Sequence, residues 1–141
     1  MNNVIGVKEV RVLFERVGKA PAKVMTKATK AGANLIKTTA KNNAPVGETG
    51  ALKSGITIKA EKYRKGKKVY QIFMKSDPRF VKISKTGKRA FYPASQEYGW
   101  TDQYGHYHPG YRYMKKAADS NSERAKGLMI RVMAEELEKL R

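Results

Sequence analysis

The sequence predicts an α+β fold: an antiparallel β-sheet of about three to five strands packed against a long helix in the N-terminal half and a C-terminal helix. Three observations carry this expectation. Residues 21–43 place apolar side chains at helical spacing, residues 56–75 switch to a period of two, and residues 121–140 return to the helical period. The chain has 141 residues, of which 40% are hydrophobic. That length suits one domain, here 1–141, and the composition is too apolar for a fully disordered chain.

Each element follows from its own pattern. Val7, Val10, Phe14 and Val17, widened by Leu13, recur at helical spacing in residues 4–18, with Gly6 or Gly18 as a boundary. This run is rich in Val, whose β-branching weakens a helix, so tertiary contacts must hold it. Ala20-Pro21 starts the next element, since Pro is tolerated in a first helical turn. In helix 21–43, Val24, Ala28, Ala31, Leu35, Ile36 and Ala40 share one face, and Lys23, Lys27, Lys30, Lys37 and Lys41 crowd the others. Gly32 and the alanines on that face predict a close approach to a sheet or another helix. Pro45 disfavours a helical conformation at Ala44 and ends the helix there.

Residues 45–55 read as an exposed, mobile turn, with Leu52 as the apolar anchor beneath it. Ile56 and Ile58 alternate with Thr57 and Lys59, and residues 69–75 alternate likewise, so the two runs form a hairpin with Gly66 at its turn. The second strand is apolar on both faces, which predicts a central position. Phe80–Ile83 reads as a short strand before a Thr86-Gly87 turn, and residues 90–99 as either a short helix or an irregular edge strand, Pro93 excluding a central one. Residues 100–113 gather the single Trp, four Tyr and both His into an aromatic loop. A helical turn at 114–119 then precedes the final helix, which Ser120 or Ser122 would cap.

The absence of Cys excludes disulfides, thiolate nucleophiles and cysteine-based metal centres. No apolar stretch approaches the ~20 residues that span a bilayer, and the first residues lack the apolar core of a signal peptide. His106 and His108 could point the same way from a strand towards a metal, with Asp102 and Glu97 as further ligands for a metal-dependent nuclease. A structural or interface loop accounts for the two His better. Glu97 is better explained as a carboxylate tied to a sheet edge by Lys or backbone N–H groups than as a catalytic acid. No Ser or Thr has a base at a meaningful spacing. The Gly47–Gly50–Gly55 turn lacks the closing Gly-Lys-Ser/Thr of a phosphate loop, although an anion could still bind there. Neither a cofactor nor a metal is expected.

The formal net charge is +18, favouring nucleic acid, acidic proteins or anionic lipid as partners. Segment 59–89 holds twelve Lys or Arg against two acids. Lys62, Arg64, Lys65, Lys67 and Lys68 cluster at the hairpin tip, and Lys85, Lys88 and Arg89 follow. Lys outnumbers Arg, which suits diffuse attraction to phosphate better than bidentate base readout. This cluster supports nonspecific contact with DNA or an acidic partner, or a small basic nucleic-acid-binding protein.

A set of segments, in order, adds a resemblance. Ala28–Asn43 is an alanine-rich helix, followed by Ala44-Pro-Val-Gly-Glu-Thr-Gly-Ala-Leu-Lys-Ser-Gly-Ile56, Tyr92-Pro-Ala-Ser-Gln-Glu-Tyr-Gly99 and Pro109-Gly-Tyr-Arg-Tyr-Met-Lys-Lys-Ala-Ala118. Over roughly residues 7–140 the chain resembles the head–tail joining (neck or tail-completion) family of long-tailed bacteriophages and prophages. Pro45, Thr49, Gly50, Leu52, Ser54 and Ile56 match the family's turn, with Gly55 as an extra residue. Tyr92, Glu97 and Gly99 match its middle segment, where Pro93 replaces the usual Ala; Tyr113 and Met114 stand for its Phe-Leu pair.

The resemblance implies a non-catalytic assembly protein of the virion, at the head–tail connector or tail end, made in the bacterial cytoplasm. Copies would form a ring or collar that joins capsid to tail and lets DNA pass, touching other neck, head-completion or tail proteins and no membrane. The segments 45–55, 76–90 and 99–112 would make contacts, with Pro45, Thr49, Gly50, Leu52, Glu97, Gly99, Trp100 and Tyr113 as interface candidates.

Overall fold

A computed structural model of the chain describes residues 18, 20–47 and 50–140. Apart from Gly18, the helix expected over residues 4–18 lies outside the described residues, as does the interface candidate Thr49. The fold is α+β. In chain order come α1 (Ala20–Asn43), α2 (Ala51–Gly55), β1 (Ile56–Ala60), β2 (Tyr70–Met74), a 3₁₀ turn (Pro78–Phe80), β3 (Val81–Ile83) and β4 (Arg89–Phe91). They are followed by α3 (Tyr92–Tyr98), β5 (Gly99–Thr101), β6 (Tyr107–Pro109) and α4 (Tyr113–Glu138).

The two long helices form the body of the molecule and run antiparallel. Lys27 near the start of α1 pairs with Glu136 near the end of α4, while Gly32 lies against Met129. Small residues permit the approach: a Cβ added at Gly32 would fall 2.6 Å from the Met129 methyl carbon. Among the described residues twelve hydrophobic side chains are buried and seven of them are Ala, so the helices meet through short side chains and close backbones. At the other end of the pair, Ala40 and Ala44 join Leu52, Ile56, Tyr113 and Ala117 in the main core, flanked by Ile36, Ile72, Met74 and Met114. Leu52 is thus the anchor that the 45–55 turn required, and residues 51–55 close that turn as α2.

Among the described residues the strands form three separate two-stranded antiparallel ribbons, β1–β2, β3–β4 and β5–β6, in place of one sheet of three to five strands. Consequently β2 is not central, because among the described residues it pairs with β1 alone. Its Tyr70, Ile72 and Met74 are half-buried, and its second apolar face carries Phe73, which is exposed. The register runs from Ile56↔Met74 to Ala60↔Tyr70, then shifts to Arg64↔Lys67. Three residues on one side therefore oppose two on the other, a β-bulge, before Lys65 and Gly66 turn the chain. Both turn residues have positive φ, 49° and 74°, as a two-residue type I′ turn requires.

The aromatic segment is the ribbon β5–β6 and not a loop. Its turn shares a design with the turn of β3–β4. In each, the fourth residue is Gly with positive φ (Gly87 or Gly105), and the first supplies a side-chain acceptor, Ser84 or Asp102, to the N–H four residues on. The interval between Phe91 and Gly99 is helical, with Pro93 in the first turn and fully buried.

Tyr113–Glu138 forms one helix, where a turn and a separate capped helix were expected. Ser120 and Ser122 lie inside it and cap nothing. The polar stretch Asp119–Ser122 does not break it because its side chains bond back into the same helix. Ser120 Oγ donates to the Lys116 carbonyl and Asn121 Nδ2 to that of Ala117.

Candidate functional site

The site is built outward from Glu97. Helix α4 starts at an Arg112 with φ 54° and has no side-chain cap of its own. Glu97, on the last turn of α3 and only 6% exposed, supplies the cap: its two oxygens accept the N–H groups of Met114 at 2.9 Å and Lys115 at 3.0 Å. A carboxylate there also faces the positive end of the helix dipole. The backbone N–H expectation for Glu97 therefore holds, but the donors belong to a helix and not to a sheet edge. Two more bonds run alongside, Tyr111 N–H to the Gln96 carbonyl and Arg112 N–H to that of Glu97.

Gly99 and Gly110 let these backbones touch. A Cβ on Gly99 would lie 2.4 Å from the His108 carbonyl oxygen, and one on Gly110 would lie 2.4 Å from that of Glu97. Below them, Tyr113 is buried and donates its hydroxyl to the Pro93 carbonyl at 3.2 Å. Burial, and then the charge of Glu97, push the phenol well above its ordinary pKa, so it remains a donor. Segments 92–99 and 109–118 are thus two halves of one lock.

The lock holds ribbon β5–β6 against α3 and leaves its aromatics outside. Trp100 stacks on His108 with ring centres 4.3 Å apart. Tyr107 donates to the Tyr98 carbonyl, and the Arg112 guanidinium lies over the Tyr98 ring. Tyr104 is 76% exposed, and Tyr98, Trp100, Tyr107 and Tyr111 are also exposed. Asp102 Oδ2 sits 3.3 Å from His106 Nδ1 and 3.2 Å from His108 Nε2, while Oδ1 accepts the N–H groups of Tyr104 and His106. Partial burial alone would raise the Asp102 pKa, but these hydrogen bonds outweigh it and hold the carboxyl below its usual value. Glu97 is committed to α4, so the four-ligand cluster with Asp102, His106 and His108 does not assemble. Among the described residues no group of three or more His, Cys, Asp or Glu is placed to hold a metal ion.

The remaining candidates divide by depth. Leu52, Glu97 and Tyr113 are buried, whereas Trp100 is exposed. Pro45, Gly50 and Gly99 are half-buried, and Gly50 takes a left-handed conformation (φ 59°) before α2. Lys62, Arg64, Lys65 and Lys67 stand exposed at the β1–β2 tip, and Lys85, Lys88 and Arg89 on β3–β4. Lys68 folds back, donating to the Glu61 carbonyl and lying over Tyr70. The expected contact segment 99–112 contains Tyr104 and Tyr107 without singling them out and leaves out Tyr98, and the Asp102-x-x-Gly105 turn that displays Tyr104 matches Ser84-x-x-Gly87.

Aromatic side chains displayed on a ribbon that is locked to the core equip a protein to be held by its neighbours. The chain belongs to the HK97-gp10-like family: the family model described as "Bacteriophage HK97-gp10, putative tail-component" matches residues 13–107. It is accordingly a structural virion protein of the phage-tail class, interacting with other tail or neck proteins. No curated protein and no solved structure matches the chain. Among the described residues no helix is long and apolar enough to cross a membrane.

Proposed function

We propose that the chain is one domain acting, without catalysis, as a head–tail joining or tail-completion protein, its copies forming a ring or collar through which DNA passes. Assembly takes place in the host cytoplasm, and the protein ends at the connector or tail end of the virion. The observation that carries this reading is the β5–β6 ribbon, an aromatic surface with little net charge, fixed in place and left uncovered by the rest of the described chain. Such surfaces gain their energy when a partner buries them.

The test is a W100A/Y104A variant. Both side chains are exposed, so the isolated protein keeps its circular dichroism and unfolding midpoint, while tails fail to join filled heads. Infectious particles at normal yield would overturn the assignment of the ribbon. A truncation across residues 100–113 would not serve, because it removes the buried Tyr113 and the strap at 110–112 along with the aromatics.

A second reading, a small nucleic-acid-binding protein using the 59–89 cluster, is favoured by the exposed basic tips of the first two ribbons. Fluorescence titration against short duplex and single-stranded DNA separates the two. Tight binding at 150 mM salt with a strong sequence preference supports the second reading, and weak binding that collapses with salt supports the first.

A further inference from the structure

The three ribbons differ in chemistry. β5–β6 is aromatic and carries few charges, and β3–β4 mixes Lys85, Lys88 and Arg89 with exposed Ile83 and Phe91. The tip of β1–β2, residues 61–68, is charged without any exposed apolar anchor, since its one aromatic, Tyr63, is half-buried. Lys62, Arg64, Lys65 and Lys67 point four cationic side chains into solvent, and none forms an ion pair among the described residues. Glu61, the one acid nearby, is held by Gln71.

We infer that this tip is a contact element for the sugar–phosphate backbone of duplex DNA, with Lys62, Arg64, Lys65 and Lys67 each facing a phosphate. The inference deepens the DNA-passage part of the proposed function, but it concerns the isolated chain and needs no ring.

Two features favour DNA over an acidic protein. Protein interfaces take their energy from a desolvated apolar or aromatic centre, which this tip lacks and β5–β6 has. A phosphate backbone needs only closely spaced, hydrated cations, and a two-stranded ribbon is narrow enough to lie along a groove. The turn itself adds an independent sign. The first position of a type I′ turn favours Asn, Asp or Gly, yet Lys65 occupies it at φ 49°. A residue that breaks the local rule while adding a cation at the outermost point serves something other than the turn. Three of the four are Lys, point charges suited to phosphate rather than to bidentate base readout, so the contact reads charge and spacing before base sequence.

The experiment is fluorescence anisotropy of the full chain with a labelled 20-base-pair duplex between 50 and 200 mM salt. The variant K62Q/R64Q/K65Q/K67Q is compared with K23Q/K30Q/K37Q/K41Q, which removes the same charge from the outer faces of α1. For four lost phosphate contacts, the salt slope of the tip variant should fall by about 3.6 relative to wild type, and that of the α1 variant by much less. Equal losses in both variants would overturn the inference, leaving only a diffuse field, as would an unchanged slope in the tip variant. Equal or tighter binding of a labelled poly-glutamate would overturn it in favour of an acidic protein partner. K65N gives a second readout: it raises the unfolding midpoint by relieving the turn, yet weakens DNA binding. Particle assembly is scored separately, so binding without a ring and a ring without binding are distinguishable.

Discussion

Glu97 is a buried acid whose purpose is positional: its oxygens are spent on two helix N–H groups, and its backbone carbonyl on a third residue. Removing it leaves those donors unpaired in a dry site. Glu97→Ala should therefore cost about 2–4 kcal/mol in urea unfolding, whereas Glu97→Gln, which keeps one acceptor, should cost less. Gly55 was an extra residue by comparison with the family's turn, and its neighbours explain its type: an added Cβ would meet Met74 Sδ at 2.6 Å and Phe80 Cζ at 2.7 Å. Met74 could yield, but Phe80 is fully buried, so Gly55→Ala should lower stability by about 1–3 kcal/mol. Asp77 caps the 3₁₀ turn that delivers Phe80 to the core, and its hydrogen bonds to Arg79 hold its pKa at about 2, below the ordinary 3.8. A depressed acid stabilises the fold above its unfolded pKa and loses that contribution as pH falls through the folded one. The advantage of wild type over Asp77→Asn should thus be full above pH about 4 and vanish near pH 2, as acid-unfolding curves of the two proteins would show.

At the scale of elements, the paired helices and the three ribbons have different jobs. α1 and α4 meet through alanines and Gly32, which gives a thin but closely packed body. Ribbons β3–β4 and β5–β6 meet α3 through β4 and β5 and are short, three residues per strand, so turn chemistry governs their form. Gly99→Ala combines a positive φ of 91° with a backbone clash, and should detach β5–β6 from α3. Hydrogen exchange should show the loss as early exchange of the Tyr111 and Arg112 amides, with helix α1 still protected. The β1–β2 tip, by contrast, is separable from the core. Replacing its charges should leave the unfolding midpoint within a few degrees.

At the scale of the molecule, many large apolar side chains of the described residues lie outside. Val46, Ile83, Phe91, Trp100, Tyr104 and Ile130 are exposed, while the buried set is mainly alanine. The surplus of positive charge opposes self-association at low salt, and closed assembly should accordingly be favoured as ionic strength rises. Electron microscopy of the purified chain across salt, alone and with stalled particles, checks this: rings at high salt are the expected result, and dispersed chains throughout would count against homo-oligomerisation.

How much was legible in advance follows the range of the interactions. Periodicity over 21–43 and 56–75, Pro21 and Pro45 as boundaries, Leu52 as an anchor and the ordered family segments are local, and the sequence determined them by itself. The Thr86-Gly87 turn was legible for the same reason. Continuity of α4 across Asp119–Ser122 was not, because it rests on side chains turning back to their own helix rather than leaving it. Nor was the separation of the strands into three ribbons: residues with strand character do not state which edges will meet. Only the tertiary structure decided what Glu97 does, since its donors lie 17 and 18 residues away. It likewise turned an aromatic loop into a paired ribbon, by bringing Gly99 and Gly110 into backbone contact that no spacing rule encodes.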